Sequence, residues 1–302
     1  MTVFPNYYAD FCCKADRCRH NCCIGWEIDV DAETAALYRR MEGALGDRLR
    51  ANIAGDPPHF VLGAGERCPF LNERNLCDII TACGEEALCD ICAMHPRFVN
   101  ERGDRMELGL GMACEEAARL ILTQEEPMRL VGSAPSDGVT DARDGAIALL
   151  QDRALSLSER LFALLHRFGA ALLPCTATAL AERFLALERL DEEWTERLNA
   201  LAGRETLFTG GFAAYMGTRM IEYEQLCVYL CYRHMPKAET PRELPAYAAL
   251  VAQCCALVYL LGAAEWEKNG EFSAEAQIEL CRMFSAEIEY SDENIDTLLQ
   301  AR

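Results

Sequence analysis

Cysteine is the residue that most constrains this chain, because 17 of its 302 residues are cysteines and most of these lie in the first two-fifths. The segments that carry them are short and rich in Gly, Pro, Asn and Asp. Such segments bury too little apolar surface to form a conventional core, so something else must hold them in place. Thiolates are soft ligands that suit zinc and iron–sulfur clusters. The stretch from Cys13 to Cys114 is therefore predicted to fold around a metal centre.

Eight thiols of this stretch stand in separate short motifs. The first motif reads C-x-x-x-C-C from Cys18, and later ones read C-P-F-L, N-L-C-D and C-A-M-H-P-R. Three further cysteines, Cys12, Cys83 and Cys89, lie among them as extras. The eight candidate metal ligands are Cys13, Cys18, Cys22, Cys23, Cys68, Cys77, Cys92 and Cys114.

The remaining cysteines lie in helical patterns, where a free thiol is commonly a small buried apolar side chain. Cys227 and Cys231 are four residues apart on one helix face, so a metal pair is conceivable there, but burial in the core is favoured. The cysteines predicted to be core residues are Cys175, Cys227, Cys231, Cys254, Cys255 and Cys281.

The overall charge bears on the choice of partner. The formal net charge of −19 argues against a nucleic-acid partner, because nucleic acids bind basic surfaces. An acidic surface mildly favours a lysine-bearing protein substrate, although it also serves solubility alone. The hydrophobic share of 51% indicates a globular protein rather than a disordered one.

Two segments bear on location. Met1–Asp10 has no basic region and no long apolar run, so no signal peptide is predicted, and we expect a cytoplasmic protein with reduced thiols. Tyr247–Ala264 is uncharged and approaches the length of a membrane span. Its flanks show no positive-inside bias and it is rich in Ala, so a buried bundle helix is predicted and no membrane partner is expected.

The predicted fold class is mainly α. A cysteine-rich metal-binding region with a few short strands comes first, and an all-α helical bundle follows. The predicted domain limits are 1–124 for the cysteine-rich metal or iron–sulfur domain, 125–140 for a linker rich in Pro, Gly, Ser and Asp, and 141–302 for the all-helical domain.

Local signals predict several elements within these regions. Alternating apolar and polar residues predict extended chain over Trp26–Val30 and a strand over Met106–Leu110. Asp31 is expected to cap a helix that runs toward Leu49. Long helices are expected over Phe212–His234 and Ser273–Glu289, and further helix caps are expected at Ser158, Asp191 and Ser291.

Several of these motifs occur together in the order of a known family. The stretch from Cys18 reads C-x-x-x-C-C-x-G-W, then I-D-V-D-x-x-T, C-P-F-L, L-C, G-E-E-A-L, C-x-x-H-P-R and A-C-E-E-A-A-R-L. This ordered set resembles the opening of the flagellin lysine-N-methylase (FliB-like) family. It is also similar to the smaller YkgJ-type zinc- or iron-chelating cysteine cluster. A weaker similar stretch runs from Tyr223 to Arg233.

The resemblance implies an enzyme that N-methylates lysine side chains of flagellin or another lysine-bearing protein. S-adenosylmethionine would be the methyl donor, and the eight cysteines would hold an iron–sulfur cluster, in first place 4Fe-4S, with zinc as the alternative. Eight thiols exceed the number that one four-iron cluster binds. Either there are two centres, or some of the thiols do not bind the cluster and are next to its ligands or free. The alternative function is a non-catalytic metal-binding or electron-carrying protein.

The cofactor site itself is not visible in the sequence. The radical-type signature C-x-x-x-C-x-x-C is absent, because Cys23 directly follows Cys22, and no G-x-G-x-x-G follows a strand. Arg97 is a candidate for binding a cofactor carboxylate, and bracing of its own loop is equally favoured. His95, which stands where the family has Tyr, is favoured as a packed or solvated side chain over a ligand. No catalytic base is identified.

Overall fold

The protein is described by a computed structural model that covers residues 1–171, 176–204 and 209–300. The chain divides into two compact units. The cysteine-rich unit comprises Cys12–Phe98 and Cys114–Glu116, and the helical unit comprises Met1–Phe11, Val99–Ala113 and the chain from Ala117 onward. These limits differ from a single division near residue 124, because the N-terminal strand pairs with strands of the helical unit.

Helices dominate the described residues, and the predicted mainly-α class is confirmed. The cysteine-rich unit holds only short ones, whereas the helical unit holds helices of up to 26 residues. The α-helices are α1 (Ala32–Arg40), α2 (Gly43–Ala51), α3 (Asp78–Cys83), α4 (Asp90–Met94), α5 (Glu115–Leu122), α6 (Gly138–Leu150), α7 (Leu157–Phe168), α8 (Ala177–Leu185), α9 (Glu192–Ala202), α10 (Thr209–Met216), α11 (Ile221–His234), α12 (Leu244–Asn269), α13 (Ala274–Phe284) and α14 (Asp292–Gln300).

The strands are short and form two sheets. The strands are β1 (Thr2–Pro5), β2 (Ile53–Ala54), β3 (His59–Phe60), β4 (Arg97–Arg102), β5 (Arg105–Leu110) and β6 (Leu130–Gly132). The larger sheet has the order β4-β5-β1-β6, and the smaller one pairs β2 with β3. Strand β1 runs parallel to β5, with Thr2 opposite Met106, and antiparallel to β6, with Phe4 opposite Val131. The strand expected over Met106–Leu110 is therefore present, whereas β6 and the start of α6 occupy part of the segment predicted as a linker.

Helix caps follow the sequence signals in most places. Asp31 and Asp191 each cap a helix as predicted, with a side-chain oxygen that accepts a backbone N–H of the first turn. Ser273 caps α13 in the same way. The cap expected at Ser158 is wrong. Ser156 takes that role in a capping box with Glu159, three residues on.

Two expected helices are interrupted. The helix from Asp31 toward Leu49 ends at Arg40, and α2 begins at Gly43, whose φ is 82°. The helix expected over Phe212–His234 is likewise divided by a 3₁₀ turn over Gly217–Met220, where Gly217 has φ 52°. Positive φ suits glycine and does not continue a right-handed helix.

Helix α12 forms the centre of the helical unit. The stretch Pro241–Asn269 is long and apolar enough to cross a membrane by length and composition, but 67% of its most apolar window is buried inside the protein. The buried helix of a soluble core passes the same test. Cys254 and Cys255 lie on α12 and are both 1% exposed.

A buried charge cluster joins the sheet to α6. The carboxylate of Glu107 on β5 accepts two hydrogen bonds from the guanidinium of Arg143, at 2.9 and 2.7 Å. Arg105 donates a third at 2.5 Å. Glu107 and Arg143 are completely buried, whereas Asp144, which also accepts from Arg143, is 44% exposed.

Candidate metal centre

The cysteine-rich unit has a small apolar core with thiols at its margin. Tyr38, Leu49, Phe60 and Phe70 are buried in this core, together with Ile28, Val30 and Ile79. Cys68 and Cys89 belong to the same cluster, and Cys23, Cys77 and Cys92 pack against it. The unit therefore brings thiols from four sequence segments to one place, although few residues supply its apolar packing.

Two antiparallel backbone hydrogen bonds bring the first and second cysteine motifs together. The N–H of Cys68 donates to the carbonyl of Cys23 at 2.8 Å, and the N–H of Gly25 donates to the carbonyl of Glu66 at 3.0 Å. The Cys23 thiol consequently contacts the sulfurs of Cys22 and Cys68, with which it forms side-chain hydrogen bonds. Cys22, Cys23 and Cys68 form the inner thiol group.

Hydrogen bonding sets which thiol of the inner group ionises. The hydrogen bond from Cys23 lowers the pKa of Cys68 to about 7, against the opposing effect of burial, and the backbone N–H groups of Phe70 and Leu71 add to it. The same hydrogen bonds raise the pKa of Cys23. Cys68 is therefore substantially a thiolate at neutral pH, which is the form that binds a metal.

Cys77 and Cys92 lie near the inner thiol group. The Cys92 thiol interacts electrostatically with Cys68 and Cys22, and Cys77 interacts with Cys68. Cys92 also forms a hydrogen bond with Cys89, which raises the pKa of Cys92 and lowers that of Cys89. Cys89 was not among the eight candidates, although its spacing to Cys92, C-x-x-C, is a ligand signal present in the sequence.

The remaining candidates form an outer thiol group, Cys13, Cys18 and Cys114. Burial, together with the charges of Glu115, Cys114 and Cys13, raises the pKa of Cys18 to about 12. Cys22 also contributes to this shift. The outer and inner thiol groups are thus electrostatic neighbours, and all eight predicted ligands belong to one network.

Glu115 fixes the loop that carries Cys13, Cys18 and Cys22. Its carboxylate pairs with Lys14 at 2.5 Å and accepts the backbone N–H groups of Arg19 and His20 at 3.1 and 3.4 Å. Burial by itself raises the pKa of Glu115, but these hydrogen bonds outweigh it and the pKa lies below its usual value. The carboxylate therefore holds the loop against the first turn of α5.

Other cysteines stand apart from this network. Cys12 is exposed and its Sγ lies 3.9 Å from the carbonyl of Cys13. The helical cysteines are buried as expected, with the sulfurs of Cys227 and Cys255 2.8 Å apart. Burial raises the pKa of the Cys227 thiol, so it stays protonated. Cys175 lies outside the described residues.

His95 and Arg97 are both half-buried in the cysteine-rich unit. Burial lowers the pKa of His95 to about 4, so its imidazole is neutral at physiological pH. Arg97 is the first residue of β4. Its assignment to a cofactor carboxylate stays a prediction.

A second group of ligand-type side chains was missed by the sequence analysis. Ligand atoms of Glu27, Asp29 and His59 all lie within 4.8 Å of one another. Asp29 and His59 face each other across an isolated antiparallel bridge. The alternation of Trp26–Val30 puts residues 27 and 29 on one face of an extended segment, but nothing local in the sequence reveals that His59 is their neighbour.

The distances between the cysteine sulfurs bear on whether the thiols are arranged to hold a single zinc ion. Within the described ranges, no three cysteine sulfurs lie within 4.8 Å of one another. A tetrahedral zinc with Zn–S bonds of about 2.3 Å holds its sulfurs about 3.8 Å apart. The thiols thus share one region without forming a preassembled zinc tetrahedron.

The helical unit contains a buried polar group on the π-helical turn Ser285–Glu289. One carboxylate oxygen of Glu289 lies 2.7 Å from Nε2 of His234 and 3.4 Å from Nε of Arg233. The other accepts from the hydroxyl of Tyr229 at 2.9 Å. Burial raises the pKa of Glu289, but Arg233 and His234 outweigh it and lower the pKa to about 2.

Together, these features define a helical protein with an inserted cysteine-rich unit whose thiols and carboxylates suit cation or cluster binding. Residues 177–302 match the family described as the FliB lysine N-methylase C-terminal domain. The C-terminal part of the chain is therefore similar to FliB-like lysine N-methylases, and the predicted resemblance to that family is confirmed.

Similar proteins come from Salmonella. The lysine-N-methylases of Salmonella choleraesuis (strain SC-B67) and Salmonella typhimurium (strain LT2) are each 29% identical over 140 residues, which cover 42% of this chain and 33% of the relative. The flagellar biosynthetic protein FliU of Salmonella muenchen is 26% identical over 134 residues, which cover 42% of this chain and 79% of FliU. The chain thus spans about a third of the length of the two lysine-N-methylases. No solved structure matches it significantly.

Proposed function

We propose that this protein transfers a methyl group from S-adenosylmethionine to the side-chain nitrogen of lysine in a protein substrate, with flagellin as the first candidate. The observation that carries the proposal is the match of residues 177–302 to the C-terminal domain of lysine N-methylases. The names of the similar proteins, two lysine-N-methylases and one flagellar biosynthetic protein, support lysine and the flagellum as the context.

The thiol network is proposed to hold an iron–sulfur cluster. The donor set fits, because thiolates are the usual cluster ligands and the pKa of Cys68 favours its thiolate form. Among the described residues, sulfurs from several segments converge without three of them lying mutually within zinc-like separations, which suits a polynuclear cluster better than a single zinc ion. The proposed ligands come from the inner thiol group together with Cys77 and Cys92, and the outer thiol group would either support them or hold a second centre.

Methyl transfer to lysine requires a positioned methyl donor and a neutral lysine amine. A cluster held by the inner thiol group with Cys77 and Cys92 would supply Lewis-acid chemistry for positioning the amino and carboxylate groups of the methyl donor. The protein must also provide a neutral amine, because a free lysine has a pKa of about 10.4. Desolvation of the incoming lysine or a nearby base serves that purpose. Arg97 is the proposed partner of a donor carboxylate.

The test begins with protein purified without oxygen. We expect brown protein with iron and acid-labile sulfide, binding of S-adenosylmethionine in calorimetry, and donor-dependent methylation of flagellin detected as added methyl mass on lysine. Cys68→Ala should remove iron and activity together, whereas Cys227→Ala, in the buried helical group, should keep both. Colourless zinc protein that does not bind the donor would instead support the non-catalytic metal-binding alternative.

A further inference from the structure

Cys89 is a buried thiol that lies outside the set of eight candidate ligands. It stands in the sequence L-C-D-I-C, three residues before Cys92, which is one of the proposed ligands. A C-x-x-C spacing is a usual way for a chain to supply two thiolates to a metal centre. Cys89 is completely buried in the small core of the cysteine-rich unit, whereas Cys92 packs at the margin of that core.

One short turn of helix puts the two thiols side by side. Cys89 directly precedes α4, and its carbonyl accepts the N–H of Ala93 at 2.9 Å. Residues three apart on such a turn lie on the same face. The side chains of Cys89 and Cys92 accordingly contact each other through a hydrogen bond. The turn therefore presents two sulfurs, and not one, to the thiol network.

Two hydrogen bonds from outside this turn hold the segment of Cys89 in position. The hydroxyl of Tyr38 donates to the carbonyl of Ala87 at 2.6 Å. The N–H of Asp90 donates to Oδ2 of Asp31 at 3.1 Å, while Oδ1 of the same carboxylate caps α1. The backbone is thus fixed on both sides of Cys89. Supporting hydrogen bonds of this kind orient the ligands of metal sites.

The Tyr38 side chain shows which thiols share the surroundings of Cys89. Its hydroxyl interacts electrostatically with Cys77, Cys89 and Cys92, and all of these residues belong to the small core or pack against it. Cys92 in turn interacts with Cys68 of the inner thiol group. Cys89 is therefore a member of the thiol network, with two proposed ligands around the same tyrosine.

Burial and contact between two thiols do not by themselves distinguish a ligand from a packed side chain. Cys227 and Cys255 are also buried and in contact, but they lie on the long helices α11 and α12, which ordinary packing holds in place. Cys89 lies on a short turn in a unit with little apolar packing, and such a unit needs further interactions to stay folded. A bond from its sulfur to a metal would be one of them.

We propose that Cys89 is a ligand of the metal centre in the cysteine-rich unit and binds it together with Cys92. This inference rests on the proposed function in that it adds one ligand to the centre proposed there. The donor is a thiolate, so its partner is cluster iron or a zinc ion. When the sulfur–metal bond forms, the proton of the thiol is released to solvent.

Two substitutions at Cys89 test the proposal, because a ligand and a packed thiol rank them in opposite orders. Cys89→Val keeps an apolar side chain and removes the donor atom, whereas Cys89→Ser keeps a donor atom and places a hydroxyl in the core. We expect the valine variant to hold metal at least about tenfold less tightly against a chelator, since the loss of a residue that only supports a ligand already costs about 10–100-fold. The serine variant should retain more metal, with a changed Mössbauer spectrum because oxygen replaces sulfur.

Cys83→Val and Cys83→Ser are the matched controls, measured on the same anaerobically purified full chain. Cys83 ends α3 and packs against the same small core, but it is not among the proposed ligands. Both controls should keep the metal content and the spectrum of the wild type. Wild-type retention of metal by Cys89→Val would overturn the proposal, as would an unchanged spectrum in Cys89→Ser or equal losses of metal from Cys83→Val and Cys89→Val.

The wild-type protein decides the question if neither Cys89 variant folds. A chelator removes the metal in the presence of iodoacetamide, and tandem mass spectrometry follows the alkylation of each thiol. We expect Cys89 and Cys92 to be alkylated together as the metal leaves, while Cys227 in the helical unit stays unmodified. Alkylation of Cys92 while Cys89 remains protected would identify Cys89 as a packed core thiol and overturn the proposal.

Metal binding and methyl transfer are measured separately, so the two proposals can fail independently. A metal centre that depends on Cys89, in a protein that methylates no substrate, would keep the ligand and remove the proposed activity. Methyl transfer by Cys89→Val with its full metal content would overturn the ligand while the activity stands. A wild-type chain that binds neither iron nor zinc would overturn the ligand and leave the activity to the methylation assay.

Discussion

Glu289 offers the sharpest test of the energetics inside the helical unit. Its side chain is completely buried and faces Arg233, His234 and Tyr229. Glu289→Gln keeps the shape and one hydrogen-bonding oxygen but removes the carboxylate charge that faces the buried guanidinium of Arg233. Breaking a buried pair on one side typically costs about 3–5 kcal/mol, and we expect that loss in the free energy of unfolding near neutral pH.

The pKa of Glu289 gives a second, independent value for the stability that this carboxylate contributes. The folded state lowers it from 4.5 to about 2, and a difference of this size corresponds to about 3 kcal/mol of stability. Because the folded pKa is depressed, this contribution is fully present above pH 4.5 and is lost as the pH falls toward about 2. Wild-type protein should therefore lose stability more steeply with acid than Glu289→Gln does.

The assay is urea unfolding at a series of pH values from neutral to about pH 3. Fluorescence is a suitable signal, because Trp194 is completely buried in the helical unit. Asp292→Asn is the control, since Asp292 is 95% exposed and 4.0 Å from Lys237, and such a pair is worth about 0–1 kcal/mol. Parallel pH profiles for wild type and Glu289→Gln would refute the reasoning, as would a loss no larger than that of Asp292→Asn.

Three further perturbations address the thiol network and the sheet. Cys22→Ala or Cys92→Ala should lose bound metal and destabilise the N-terminal part, whereas Cys227→Ala should keep its metal. Metal analysis and thermal unfolding of the three variants check this. The reverse pattern would show that the division into metal-binding and core cysteines is wrong. Glu107→Gln should cost about 3–5 kcal/mol, because it leaves the buried Arg143 with only the part-exposed Asp144 as a countercharge. Asp144→Asn should cost under about 1 kcal/mol, and equal chemical-denaturation midpoints of the two variants would contradict this difference. Glu115→Gln should weaken the loop at Arg19 and His20 by about 1–3 kcal/mol, seen as faster amide hydrogen exchange there and unchanged exchange in the helical unit.

Local signals in the sequence predicted local structure well. A cap such as Asp191 needs only its own side chain and the next turn. The capping box S-x-x-E, counted back from Glu159, gives Ser156 rather than the predicted Ser158. The grouping of the turn-presented thiols was also predictable, because turns with so little apolar surface need further interactions to hold them together.

Non-local features could not be obtained in the same way. Strand β1 is only four residues long and owes its existence to partners more than a hundred residues away. In the sequence, Glu27 and Asp29 are indistinguishable from the residues of an ordinary solvated face, and only the fold shows that His59 lies beside them. Gly217 gives no sign in the sequence that it will adopt a positive φ and divide a helix, since glycine also occurs within helices.

The pairing of β1 with β5 and β6 bears on how the protein is made. Thr2 precedes its neighbours in the sheet, Met106 and the strand at Leu130–Gly132, by more than a hundred residues. The entire thiol-bearing insert is therefore synthesised before strand β1 finds a partner, so the hydrogen-bonding edges of that strand stay open until then.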